Sequence, residues 1–536
     1  MVAEHHDSVS GLIPAPRSVE VHGAVFAPDL TRVEVGLDPA SLAWKLVGAR
    51  DIPAEGYTLR VSIDVPQVTI AAADAAGEFY ARQTLAQLGE RMPPLIIRDA
   101  PALPRRGTIE GFYGEPWTHE QRLDHVRFAG SVKFNTFVYA PKDDPYHRDR
   151  WRELYPAAEL DRLAQIATVA AENHVDFVYA LHPAVTMRFS DDREHELLEA
   201  KAAQLLDAGI RSIALLFDDV PPELSDPTDR EVFGEDGLGA AHGTTCARFA
   251  SYLESLGVDE PLLMVPMDYA GLEASPYRVG LAATLPRDAI VWWTGHDIVV
   301  GTVSRDDIDR AAGSYGREVL LWDNFPVNDF DRNRYFLGPL TGRTTDVAGA
   351  PLVGITANPM VDYAPSKFAL AAIADWAWNT AAYDPDSAAR RSLALLGAEG
   401  IAPLVDALSA WPPSADQSAR LSALVERALA GDTAELELAL DELAGIDLAV
   451  AKRHGLSRAT AAGVAMARAG LAALRDSPER AAAALVEAES HDANVLLGVI
   501  PPFVREVLTR AGYPVPPPRD RKTPAAVSEH EPTNAP

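Results

Sequence analysis

Cysteine is nearly absent from this 536-residue chain. A single residue, Cys246, excludes any intrachain disulfide, and its helix-like setting marks it as a small buried hydrophobe. No apolar run approaches the length that a membrane span needs. The first residues, MVAEHHDSVSGLIPAP, lack a basic region followed by an apolar segment, so no signal peptide is expected. Together these point to the cytoplasm, although a lack of disulfides is also compatible with export. Basic residues are scarce: 48 against 77 acidic ones give a net charge of −29. Such a surface repels nucleic acid and anionic membranes, and argues weakly against a polyanionic substrate such as hyaluronan. No Cys/His spacing suggests zinc, and His5, His6 and Asp7 read as a flexible terminus rather than a metal site. Neither G-x-G-x-x-G nor a Walker A motif occurs, so no phosphate-bearing cofactor is expected, and no cofactor of any kind.

What is present is an ordinary globular composition, 47% hydrophobic and 23% charged, long enough for two to four domains. Residues 1–104 alternate in places with period two (Tyr57, Leu59, Val61 and Ile63 on one side, then Val68 and Ile70). A helix-like stretch at 75–90 follows, which predicts a small α+β domain ending in a proline-rich joint at 99–104. Eight short apolar runs come next, at 107–113, 134–140, 175–181, 212–219, 261–269, 289–295, 318–324 and 351–358. Amphipathic stretches at 119–130, 160–173, 194–208 and 244–256 fill gaps between them. The count and size predict an α/β fold, a (β/α)8 barrel over 105–382; a doubly wound sheet is the alternative. Residues 383–513 are rich in alanine and leucine and predict a helical bundle. Within it, Leu436, Leu440 and Leu443 share a helix face, and Asp432 with Glu435 serves as a start signal. The tail at 514–536 has almost no large apolar residue and is expected to be disordered.

The fourth run, SIALLFDDV, ends in two adjacent aspartates, Asp218 and Asp219. Paired carboxyls repel, which lets one act as an acid while the other stays a base. The alternative is a helix N-cap beside a solvated neighbour. Barrel active sites gather at the C-terminal strand ends. Those ends carry Gly111-Phe112-Tyr113, Lys142, Asp218-Asp219, Tyr269, Thr294, Trp322-Asp323-Asn324 and Asn358. Carboxylates, amides, a lysine and aromatics without a metal cluster suit a sugar. Neighbours on a strand point to opposite faces, so both aspartates reach one site only if the strand has ended and the chain turns there.

Five segments, RGTIEGFYGEPW (106–117), FVYAPKDDPYHR (137–148), ALLFDDV (214–220), VLLWDNFPVND (319–329) and GITANPM (354–360), resemble the β-N-acetylglucosaminidase family that includes the O-GlcNAcases. The N-terminal domain is similar to the one preceding the barrel in bacterial members. The resemblance implies a retaining exo-enzyme whose nucleophile is the acetamide oxygen of the substrate itself, with an oxazoline intermediate. On this reading Asp218 orients and polarises the acetamide, and Asp219 is the general acid and later the general base. Gly111 would offer its carbonyl to the sugar ring, Lys142 would bind hydroxyls, and Tyr269 would place a hydrogen bond near the reacting centre. Trp322 would line the acetamide pocket, and Thr294 and Ile298 fall where the family places pocket-wall residues. Asn324 would bind the acetamide or the adjacent hydroxyl, Asp329 the O4 and O6 hydroxyls, and Asn358 a further part of the sugar. Asp323 has no direct role on this reading and is expected to be structural.

Structural alternatives remain for three residues: Trp322 as core, Asn324 as a loop cap, and Lys142 as a partner of Asp143 or Asp144. Two departures from the family pattern, Met267 and His182-Pro183-Ala184, are expected to alter the rim without touching the acid–base pair. The partner is then a GlcNAc-bearing glycoprotein or oligosaccharide, with no nucleic acid and no membrane; a homodimer is compatible with the sequence. A catalytically silent sugar-binding module and an endo-acting hyaluronidase are the competing readings.

Overall fold

The computed structural model describes residues 7–38, 40–48, 51–235, 237–415 and 417–519. His5, His6 and most of the C-terminal tail lie outside the described residues. The chain divides into two compact units. One runs to Phe325 and takes in Leu340–Pro359 and Leu370–Arg391; the other comprises Pro326–Pro339, Met360–Ala369 and the chain from Ser392 on.

The first unit begins with a mixed five-stranded sheet. Its strands are β1 (Ser18–Val21), β2 (Val33–Gly36), β3 (Tyr57–Val61), β4 (Val68–Ala72) and β5 (Leu95–Asp99), in the order β1-β5-β3-β4-β2. Tyr57, Leu59 and Val61 are buried as their alternation predicts. Ile63 departs from that pattern: β3 has ended at Val61, and Ile63 stands 68% exposed. The helix Ala75–Leu88 packs on the sheet and is capped by Asp74, whose side chain accepts the Gly77 amide at 2.8 Å.

Eight parallel strands follow and close into a barrel. They are β6 (Arg105–Glu110), β7 (Thr136–Tyr139), β8 (Asp176–Leu181), β9 (Ser212–Leu216), β10 (Leu263–Val265), β11 (Ile290–Trp293), β12 (Val319–Asp323) and β13 (Leu352–Ala357). Each falls within or overlaps one of the eight apolar runs. The (β/α)8 reading therefore holds and the open sheet does not. Side chains two apart on one strand fill the lumen, among them Val138 with Ala140, Ala214 with Leu216, and Leu320 with Trp322. The intervening residues are also buried; Tyr139 and Tyr179 stack with ring centroids 5.9 Å apart. Burial on both faces is why the strands read as continuous apolar runs instead of alternating.

Sheet and barrel meet over a buried polar knot. Lys133 donates to Asp99 and to the Tyr57 hydroxyl, each at 2.9 Å, and the Trp378 indole N–H donates to Asp99 at 2.8 Å. Arg106, fully buried, reaches Glu55 at 2.8 Å and stacks over Trp378 at 5.1 Å. Each charge is matched where an unmatched one would be costly.

The second unit is helical and includes Ala419–Leu429, Ala434–Ala444, Ser457–Arg475, Pro478–Ser490 and Ile500–Arg510. Leu436, Leu440 and Leu443 enter its core as their spacing predicts. The start signal differs: Thr433 is the N-cap, without a side-chain bond, and Asp432 instead pairs with Arg427. Cys246 is buried in the Leu238–Ser255 helix, where burial pushes its thiol far up. Among the described residues, no helix is long and apolar enough to cross a membrane.

Candidate active site

Strand β9 ends at Leu216, and three residues later the backbone bends sharply: Asp219 has φ +53, in the left-handed region. Short polar side chains tolerate that conformation better than most. This turn answers the question of how two neighbours can face one site. Asp218 points inward and is 5% exposed, while the side chain of Asp219 keeps 33% of its surface open.

The two carboxylates have different surroundings. Asp218 accepts from the Lys142 ammonium at 2.8 Å, and Lys142 is 3.9 Å from Asp219. His182 Nε2 lies 2.8 Å from the Asp218 main-chain oxygen and 3.4 Å from the carboxylate, so its one short bond goes to the carbonyl. Burial alone would raise the Asp218 carboxyl, but Lys142 and His182 outweigh it and hold the group well below the usual range. Burial would likewise lower the Lys142 ammonium; the charge of Asp218 instead raises it. Asp219 accepts hydrogen bonds from Tyr113 at 2.6 Å and Tyr269 at 3.0 Å. Both phenols are pushed up, first by burial and then by the neighbouring Asp219 charge, with Lys142 partly opposing this at Tyr113. They therefore remain donors at neutral pH.

A second cluster continues from Tyr269. Its carbonyl accepts the Thr294 amide at 3.0 Å, and the Thr294 hydroxyl bonds the Asp297 carbonyl at 3.1 Å. Asn324 takes the Trp322 indole N–H at 2.9 Å and the Asn358 amide at 3.0 Å on one oxygen, and donates to the Ile298 carbonyl at 2.8 Å. The Asn358 side-chain oxygen is buried and makes no bond within the protein. Asp323, between them, is fully buried and held by Arg343 through two bonds of 2.6 and 2.7 Å, a structural ion pair. Next to Asp219, a cleft of about 490 Å³ opens between the loops after β9 and β10. Among the described residues, no three His, Cys, Asp or Glu side chains gather as a metal-binding group.

A family model for β-N-acetylglucosaminidases matches residues 106–409. The chain belongs to the β-N-acetylglucosaminidase family. A second match, to domain 2 of glycosyl hydrolase family 20, covers residues 30–100 and so falls on the N-terminal sheet. The protein O-GlcNAcases of Rattus norvegicus and Mus musculus are each 34% identical over 276 residues. That stretch is 50% of this chain but only 29% of the length of either relative. Among solved structures, CpGH84B has a TM-score of 0.79 at 24% identity, covering 92% of this chain and 99% of its own. A mutant of the Thermobaculum terrenum O-GlcNAc hydrolase has a TM-score of 0.64 at 26% identity, covering 76% and 97%.

Direct bonds join Lys142, Asp218, Asp219 and Tyr269 into one cluster and Trp322, Asn324 and Asn358 into another. Asp329 lies on the Pro326–Pro339 segment of the second unit. Lys142 pairs with Asp218, not with Asp143 or Asp144; the latter accepts the Tyr139 hydroxyl at 2.8 Å and so anchors the loop that carries Lys142. Trp322 belongs both to the barrel core and to the polar cluster.

One expectation needs correcting. His182 was expected only at the rim, yet it bonds the Asp218 main chain and sits beside its carboxylate. It directly follows β8, whose end contributes none of the strand-end residues named from the sequence, and that position is the available signal. Tyr113 was counted among the strand ends without a role; its bond to Asp219 supplies one.

Gly111 lies against the Trp322 indole, and a Cβ there would come within 2.5 Å of the ring. The crowding must move Trp322 and, with it, Asn324. Gly111→Ala is expected to lower kcat/KM on an aryl N-acetylglucosaminide roughly 10²-fold, the scale of a misplacement of about 1 Å. A wild-type rate from a folded variant would show that the Gly111–Trp322 contact does not set the site.

Proposed function

We propose that this chain is a retaining exo-β-N-acetylglucosaminidase that removes terminal β-linked GlcNAc with the help of the substrate's own acetamide. The observation that carries this reading is the asymmetry of Asp218 and Asp219: adjacent carboxylates, one buried against a lysine, the other at an open cleft. Asp218 stays anionic, accepts the acetamide N–H, and stabilises positive charge as the acetamide oxygen closes on the anomeric carbon. Asp219 gives its proton to the leaving oxygen, then takes one from the water that opens the oxazoline. Because the nucleophile comes with the substrate, the two carboxyls need not flank the bond, in contrast to the two-carboxylate scheme. Trp322 would line the acetamide pocket, and Thr294 and Ile298 would be pocket-wall residues. Asn324, Asn358, Lys142 and the Gly111 carbonyl would hold the sugar, and Tyr113 and Tyr269 would orient Asp219.

The substrate is a GlcNAc-bearing glycoprotein or oligosaccharide, met in the cytoplasm; the net charge of −29 disfavours nucleic acid and anionic membranes as partners. Hydrolysis of an aryl 2-acetamido-2-deoxy-β-glucoside, with the corresponding glucoside and galactosaminide as controls, tests the reading. Turnover confined to 2-acetamido sugars supports it, and no turnover would leave a sugar-binding module. Replacing the acetyl group by mono-, di- and trifluoroacetyl weakens the acetamide oxygen as a nucleophile. The rate is expected to fall stepwise, and a rate indifferent to the acyl group would remove the substrate-assisted route.

A further inference from the structure

The cleft beside Asp219 is walled by Val220, Pro222, Met267, Ala270, Pro276 and Ile298. The side-chain hydrogen-bond donors of its lining are already committed within the protein. The Tyr277 hydroxyl bonds His242 at 2.8 Å and accepts the Met267 amide at 3.0 Å. Burial pushes His242 down to about 3, so this ring stays neutral and its bond to Tyr277 is not broken by protonation near neutral pH. Ser275 donates to Asp268 at 2.5 Å and accepts the Arg278 amide at 3.2 Å. The other oxygen of Asp268 is held by Arg278 at 3.0 Å. The Tyr269 hydroxyl is given to Asp219. The side-chain donors of the lining are thus spent, so the oxygens of a hydroxyl-rich guest would give up water without finding a free side-chain donor, a cost that an apolar guest does not meet.

The acid stands at the bond between the sugar and its leaving group, so the space on its open side receives the leaving group. Of the carboxylate pair, only Asp219 borders the cleft; Asp218 and its Lys142 lie behind it. We propose that this cleft selects apolar leaving groups, through Val220, Met267 and Ile298, and discriminates against a second sugar or a polar flank. The inference rests on the hydrolase reading above and adds the class of aglycone to it.

The test uses matched GlcNAc-serine peptides that differ only in the residue after the serine, Val or Gln, with di-N-acetylchitobiose as a third substrate. Using Gln leaves net charge out of the comparison. The purified full chain is expected to prefer the Val peptide over the Gln peptide by roughly tenfold in kcat/KM, the scale on which an apolar pocket discriminates. Chitobiose should be slower than either. Met267→Gln, and separately Val220→Thr in case the first fails to fold, should narrow the Val/Gln ratio toward one. Turnover of the aryl substrate with no flank preference, or with chitobiose preferred, would overturn this inference and leave the hydrolase reading standing. No turnover of any of these substrates would overturn both.

Discussion

Asp219→Asn is expected to lower kcat/KM on a poor alkyl leaving group by about 10²–10⁴-fold, the range that a positioned general acid contributes. On an activated aryl glycoside, whose departing phenolate needs little protonation, the loss should be far smaller. The substitution suits the backbone, because asparagine accepts the left-handed conformation that residue 219 adopts at φ +53. It also keeps an oxygen for one of the two tyrosines. Folding is thus largely preserved, and the comparison isolates proton transfer. Rates on alkyl and aryl substrates separate the cases: equal losses on both would refute the assignment of Asp219 as the acid.

The second large effect is expected from Lys142→Met. It removes the ammonium 2.8 Å from Asp218 and leaves a buried carboxylate without its main counter-charge. In the wild type that counter-charge, with His182, keeps the Asp218 carboxyl well below its ordinary range against the opposing push of burial. Without it burial dominates, the carboxyl rises, and the anion needed at the acetamide is lost as pH falls through a higher value. The acid limb of the kcat/KM profile should therefore move to higher pH. At the wild-type optimum the rate should fall about 10²–10³-fold, as when a preorganised electrostatic contact is removed from a transition state. Breaking a buried pair also costs about 3–5 kcal/mol of stability, which urea unfolding would read. An unmoved acid limb would mean that Lys142 does not govern the protonation of Asp218.

The barrel was legible because strands buried on both faces must be apolar throughout, and eight such runs can hardly be anything else at this spacing. The positions of Asp218, Lys142 and Asn324 could be read from strand ends. What could not be read is what lies across space. The bond between Tyr113 and Asp219 joins the loops that follow β6 and β9 and leaves no periodic trace. His182 carries no motif of its own, but it follows β8, and a strand end points into the site whatever the loop beyond it does. The turn at Asp219 was inferred as a condition, yet its left-handed backbone has no sequence signature when the residue is not glycine. The helix start at Asp432 failed for an ordinary reason: Arg427 offers a carboxylate more than a helix terminus does.

The polar knot between sheet and barrel limits how this chain can be trimmed. Lys133 and Arg106 belong to the barrel half of the sequence, yet Asp99, Tyr57 and Glu55, which neutralise or solvate them, belong to the sheet. A fragment that begins at the first barrel strand would carry two cations whose partners had been cut away, on a surface that has no water-facing design. The smallest autonomous fragment that can be excised from this chain must therefore keep the N-terminal sheet, although no residue of the candidate site described above comes from it.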